Sequence, residues 1–125
     1  MVDSKKLVLK YWLPVILWMG AIFSLSSIPG EFIPQVGIPN IDKLVHFGEY
    51  FILGILLVRA FLNSRFNMNL TAIIIVSIAA ASLYAATDEW HQNFIPNRIP
   101  DIFDFLSDFI GVNMGVLIYR RYSAR

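Results

Sequence analysis

The sequence predicts an all-α fold, a bundle of four membrane-spanning helices. Three observations predict it. Of its 125 residues, 57% are hydrophobic and 15% charged, with a mean hydropathy of +0.62. A soluble domain of this size must cover its surface with polar groups, and its apolar share is about 45–50%. The apolar residues also gather into four runs, each near the roughly 20 residues needed to cross the bilayer core. Finally, the runs are separated by segments rich in Pro, Gly and Asn. Backbone in lipid must satisfy its own hydrogen bonds, so runs of this length read as helices.

The first helix is expected over about residues 10–28, with Tyr11 to Ile28 free of charge. Pro14 then falls near its first turn, where a missing N–H is tolerated. The second is expected over 42–62, with its charges at one end. The third covers about 70–90, and Leu70 to Thr87 is uncharged. The fourth covers 102–120 and carries Asp104 and Asp108. "IPGEFIPQVGIPN" (28–40) reads as an ordered loop, "NSRFNMN" (63–69) as a short turn, and "HQNFIPNRIPD" (91–101) as a Pro-containing connection. No internal repeat or linker divides the chain, so residues 1–125 are expected to form one transmembrane domain.

Basic residues set the expected orientation. With the N-terminus inside, Lys5, Lys6, Lys10, Arg59, Arg65, Arg120, Arg121 and Arg125 are cytoplasmic, and only Lys43 and Arg98 are outside. Both termini should therefore be inside. The acids divide the other way, with only Asp3 on the inner side. Lys5, Lys6 and Lys10 before an apolar run ending in "SLSS" also fit a cleaved signal peptide, but an uncleaved helix completes an even bundle. The absence of cysteine excludes disulfides, thiolate zinc sites and a Cys nucleophile, and a net charge of +1 gives no reason to expect nucleic acid.

The outer ends of the helices are unusually polar. Asp42, His46, Glu49 and Tyr50 share one face of the second helix. Asp101, Asp104, Asp108, Gly111 and Gly115 share one face of the fourth. Asp88 and Glu89 end the third, with Gln92 a turn further on and Ala81 and Ala85 below. Ionisable groups within a span cost several kcal/mol unless paired or wet, so these should meet in an outward-opening polar pocket. The candidate site is Asp42, Lys43, His46, Glu49, Tyr50, Asp88, Glu89, Gln92, Arg98, Asp104 and Asp108.

Each has a plainer reading. Asp42 and Lys43 suit an interfacial helix start. His46, Glu49 and Asp108 suit interhelical hydrogen bonds, and Asp88 and Glu89 suit solvated acids. Arg98 suits either a clamp onto Asp88 or Asp104 or a ligand anion. His91 reads as an exposed interfacial residue, and Trp12, Trp18 and Trp90 as belt or packing residues. Gly111 and Gly115 form a small-xxx-small surface for another helix.

"DKLVHFGEY", then "DEWHQNFIPNR", then "DFLSDFIGVNMG" resembles the VanZ-like membrane proteins. The matching positions are Asp42, Lys43, His46 and Tyr50, then Asp88, Glu89, Gln92, Pro96 and Arg98, then Asp104 and Gly111. The resemblance extends over about residues 10–120. Three departures stand out: Asp108 where the pattern usually has Asn, Asn97 where it has Gly, and the added acid Asp101. The resemblance implies a role in the bacterial cell envelope, and the family's namesake is linked to resistance to the glycopeptide antibiotic teicoplanin. It names no reaction.

Three functions then compete. One is an envelope protein of the plasma membrane that changes how lipid-linked precursors are handled, with teicoplanin susceptibility as one readout. The second is a membrane enzyme acting on a lipid head group or lipid-linked saccharide. Its carboxylates and His46 could hold a divalent cation such as Mg²⁺ or Mn²⁺. The third is a structural bundle or homo-oligomer whose polar network fixes helix register.

Overall fold

A computed structural model describes residues 3–124; Arg125, counted above with the inner bases, lies outside them. Four helices follow one another: α1 (Ser4–Ser26), α2 (Ile41–Leu62), α3 (Leu70–Gln92) and α4 (Ile102–Ser123). All four are long and apolar enough to cross a membrane, and no strand occurs among the described residues. At about 1.5 Å per residue they reach roughly 33 Å, which matches a hydrocarbon core of about 30 Å.

The first helix begins earlier than about residue 10. Asp3 caps it by accepting from the Lys5 N–H at 3.0 Å, satisfying one of the free donors of a helix start. Pro14 consequently lies inside α1 and not in its first turn. Its missing N–H leaves the carbonyl of Lys10, an exposed residue, without an intrahelical donor. The third helix likewise runs on to Gln92, so Asp88, Glu89 and Gln92 all belong to its last turns. The 28–40 loop contains one 3₁₀ turn, Gly30–Phe32.

The most extensive packing is between α2 and α4. Gly111 and Gly115 sit directly on the α2 backbone: a Cβ at Gly111 would strike the Phe47 carbonyl oxygen, and one at Gly115 that of Phe51. Gly54 answers from the other side, where a Cβ would lie 2.7 Å from the Val112 carbonyl oxygen. The glycine surface expected to suit another helix is therefore filled by α2 of the same chain. Below it, Leu53, Leu57, Val58, Val112 and Val116 are buried together. The third helix packs against both α2 and α4, and Ala81 and Ala85 are fully buried. The first helix packs on α2 and more lightly on α3. Its tryptophans and a partner tyrosine fasten it: Trp12 donates to Ser64 Oγ (2.9 Å), Trp18 to the Glu49 carbonyl (2.8 Å), and Tyr84 to the Met19 carbonyl (2.6 Å).

Candidate functional site

At the end of the bundle opposite the chain termini, α2, α3 and α4 bring their acids together in tiers. The outermost tier is built on Lys43. Its Nζ donates to Asp42 Oδ2 (2.9 Å), Asp101 Oδ2 (3.0 Å) and Asp104 Oδ1 (3.0 Å). Asp101 is also the N-cap of α4 and accepts from the Phe103 N–H. That hydrogen bond, and then Lys43, hold the Asp101 carboxyl below its ordinary value.

One turn deeper, His46 Nδ1 lies 3.0 Å from Asp108 Oδ1, and its Nε2 lies 3.7 Å from Asp104 Oδ2. Asp108 is 0% exposed. Glu89 enters this tier from α3, and its Oε2 accepts from the Asp101 N–H at 3.2 Å. His46, Glu89 and Asp108 each offer one donor atom within 4.8 Å of the others. Deeper still, the Tyr50 hydroxyl and the Asp88 carboxylate face each other. Both residues are buried. Four side-chain oxygens of the cluster are buried without a partner: Tyr50 OH, Asp88 Oδ2, Glu89 Oε1 and Asp108 Oδ2.

A cavity of about 330 Å³ opens beside these tiers, under the 28–40 loop. Its polar wall includes Asp42, His46, Glu49 and Gln92; its apolar wall includes Phe32, Pro34, Val36 and Val45. The loop residues were not among those singled out from sequence. The available signal was their apolar character in a connection otherwise made of turn residues. Phe32, Val36 and Ile38 are 70%, 57% and 56% exposed, so the loop presents apolar side chains on the surface of the acidic end.

Arg98 does not clamp Asp88 or Asp104. Its Nε donates to the Ile28 carbonyl and its Nη2 to the Leu25 carbonyl, each at 3.0 Å. These carbonyls lie at the end of α1, where helix C-termini carry unsatisfied acceptors and partial negative charge. The 91–101 connection is thereby tied to α1, and the Gly30 N–H adds a bond to the Pro96 carbonyl at 2.9 Å. Asn97 has φ +57°, a left-handed conformation that suits Gly and is tolerated by Asn, which accounts for its place in the turn. His91 is not simply exposed: Nε2 lies 3.0 Å from Ser27 Oγ, and the ring stacks on Phe23. Trp90 is 68% exposed, and its ring meets Phe94 edge-on.

The cluster therefore gathers seven carboxyl groups, those of Asp42, Glu49, Asp88, Glu89, Asp101, Asp104 and Asp108, around Lys43 and His46. Arg98 spends its charge on carbonyls. Such a site attracts protons or cations, and it sets carboxylates and an imidazole beside an amphiphilic cavity.

The family model described as VanZ/LLP1 matches residues 6–123. No curated protein and no solved structure matches the chain. On a match of this extent, the chain is a membrane protein of the VanZ/LLP1 family.

Proposed function

We propose that this protein lies in the bacterial plasma membrane with both termini cytoplasmic, and that its acidic end binds an amphiphilic envelope ligand from the outer side. The ligand class is a lipid head group or a lipid-linked precursor, and lowered teicoplanin susceptibility is one consequence of its capture. The observation that carries this reading is the cavity with one apolar wall from the loop and one polar wall from the helices. Pockets that are largely apolar with a few placed polar groups suit small amphiphiles. The segregation of Lys5, Lys6, Lys10, Arg59, Arg65, Arg120 and Arg121 at the opposite end supports the orientation.

The test is the teicoplanin susceptibility of a sensitive Gram-positive host expressing the wild type, Glu49→Gln, or nothing, at matched membrane levels. Glu49 lines the cavity. Protection by the wild type and its loss in Glu49→Gln supports the reading; no protection by the wild type removes the resistance role.

The deeper tier favours a second reading, a membrane enzyme acting on that head group, with Glu89 or His46 as general base. The proximity of His46, Glu89 and Asp108 supports it. Turnover of a labelled lipid by the purified protein, lost in Glu89→Gln, is the expected result.

A further inference from the structure

We infer that His46, Glu89 and Asp108 bind one divalent cation of the Mn²⁺ class, directly beneath the Lys43 tier. The inference names an ion for the outward site proposed above and rests on that reading, but its test reads binding alone.

The first observation is convergence. The three residues come from α2, α3 and α4, and one donor atom of each lies within 4.8 Å of the other two. Two carboxylates and one imidazole form a mixed oxygen and nitrogen set. The two carboxylates suit Mg²⁺ or Mn²⁺, and the imidazole suits a first-row transition ion such as Zn²⁺; Mn²⁺ is the oxygen-preferring ion that also accepts a nitrogen ligand.

The second observation is independent of the first. Asp108 is 0% exposed, yet its Oδ2 has no hydrogen-bond partner, and Glu89 Oε1 has none either. Their sister oxygens are committed, Oδ1 to His46 and Oε2 to the Asp101 N–H. Buried acceptors without donors are rare because desolvation without compensation costs free energy. Within a membrane span no lipid can supply the missing donor. A single shared cation satisfies both oxygens at once.

The surrounding groups are arranged as supports for such an ion. Asp104 Oδ2 lies 3.7 Å from His46 Nε2, and Asp104 is itself held by Lys43. At that distance no hydrogen bond closes, so Asp104 acts on the imidazole as a nearby negative charge. The ring nitrogen available to the ion is Nδ1, which faces Asp108 at 3.0 Å. Entry of the cation displaces the proton shared between Nδ1 and Asp108, and that proton leaves to solvent.

The test uses the full chain in nanodiscs, stripped with chelator and titrated with Mn²⁺, free Mn²⁺ being read by electron paramagnetic resonance. The expected result is one Mn²⁺ per chain for the wild type, with Zn²⁺ competing. Glu89→Gln should weaken binding by about tenfold or more. Glu31→Gln, at an exposed acid of the 28–40 loop outside the cluster, should bind as the wild type does. Mn²⁺ should also raise the wild-type melting temperature, a readout independent of whether a variant folds. Absence of stoichiometric uptake and of any melting shift overturns the inference. Equal weakening by Glu31→Gln and Glu89→Gln also overturns it, because that result marks a diffuse acidic field. Intact Mn²⁺ binding without protection from teicoplanin removes the ligand reading alone. Protection without Mn²⁺ binding removes the ion alone.

Discussion

The two ends of the α2–α4 seam lie in the same bundle and obey different chemistry. Toward the chain termini the seam is apolar, with Leu53, Leu57, Val112 and Val116 buried and Gly54, Gly111 and Gly115 bringing backbone against backbone. Toward the opposite end the same helices carry Lys43, His46, Asp104 and Asp108, joined by charged contacts and holding unpartnered oxygens. The apolar end has little freedom, because at these glycines backbone meets backbone and no flexible side chain can absorb a change in spacing. The polar end inherits that register. Gly111 rests on the Phe47 backbone, one residue along the chain from His46, so the seam places His46 and Asp108 together before any charge interaction is counted. The seam supplies order, and the acid cluster draws on it.

Breaking the seam should have the largest effect. Gly115→Leu drives a side chain into the Phe51 backbone, which cannot yield without separating the helices. A loss of about 3 kcal/mol or more is expected. Thermal unfolding in detergent should show it, and the acidic end should lose its properties with it.

Breaking the outer tier should matter less. Lys43→Met leaves Asp42, Asp101 and the buried Asp104 without their shared cation. Because the ammonium is partly solvated, about 1–2 kcal/mol is expected. A loss equal to that of Gly115→Leu would mean that the charged tier, not the glycine seam, organises the two helices.

Arg98→Ala removes two hydrogen bonds to the end of α1. About 1–2 kcal/mol is expected, and faster hydrogen exchange should be confined to the end of α1 and the 91–101 connection. Exchange spreading through α2 and α4 would contradict the division drawn here.

The smallest effect is a pH dependence at the Asp101 cap. The Phe103 N–H and then Lys43 hold its carboxyl below the ordinary value. A lowered folded-state value means that the stabilisation is complete above the ordinary carboxylate range and is lost as pH falls through the lowered value. The difference in melting temperature between the wild type and Asp101→Asn should therefore be full at neutral pH and shrink in acid.

Much of this organisation was legible in the sequence, for identifiable reasons. Hydropathy marks the spans because lipid admits little else. Helical spacing puts Asp42, His46 and Glu49 on one face, and Asp101, Asp104 and Asp108 on another. The start of α1 was missed because Lys5, Lys6 and Lys10 interrupt the apolar run, although Asp3 caps them into the helix. The target of Arg98 was not legible. A carboxylate is the stronger acceptor for a guanidinium, but the left-handed turn at Asn97 and the Gly30–Pro96 contact hold Arg98 over the carbonyls at the end of α1. Gly54 was missed because a lone glycine in a span carries no pattern until its partner helix is known. The pairing of His91 with Ser27 depends in the same way on how α1 ends.

The most direct measurement is the side from which the acidic end is reached. The chain has no cysteine, so single replacements report without background. Val45→Cys sits in the cavity wall and Phe66→Cys in the short 63–69 turn at the other end. On intact cells, a membrane-impermeant maleimide should modify Val45→Cys and leave Phe66→Cys untouched until the cells are opened. Labelling of Phe66→Cys with protection of Val45→Cys would contradict the account, because the acidic end would then face the cytoplasm.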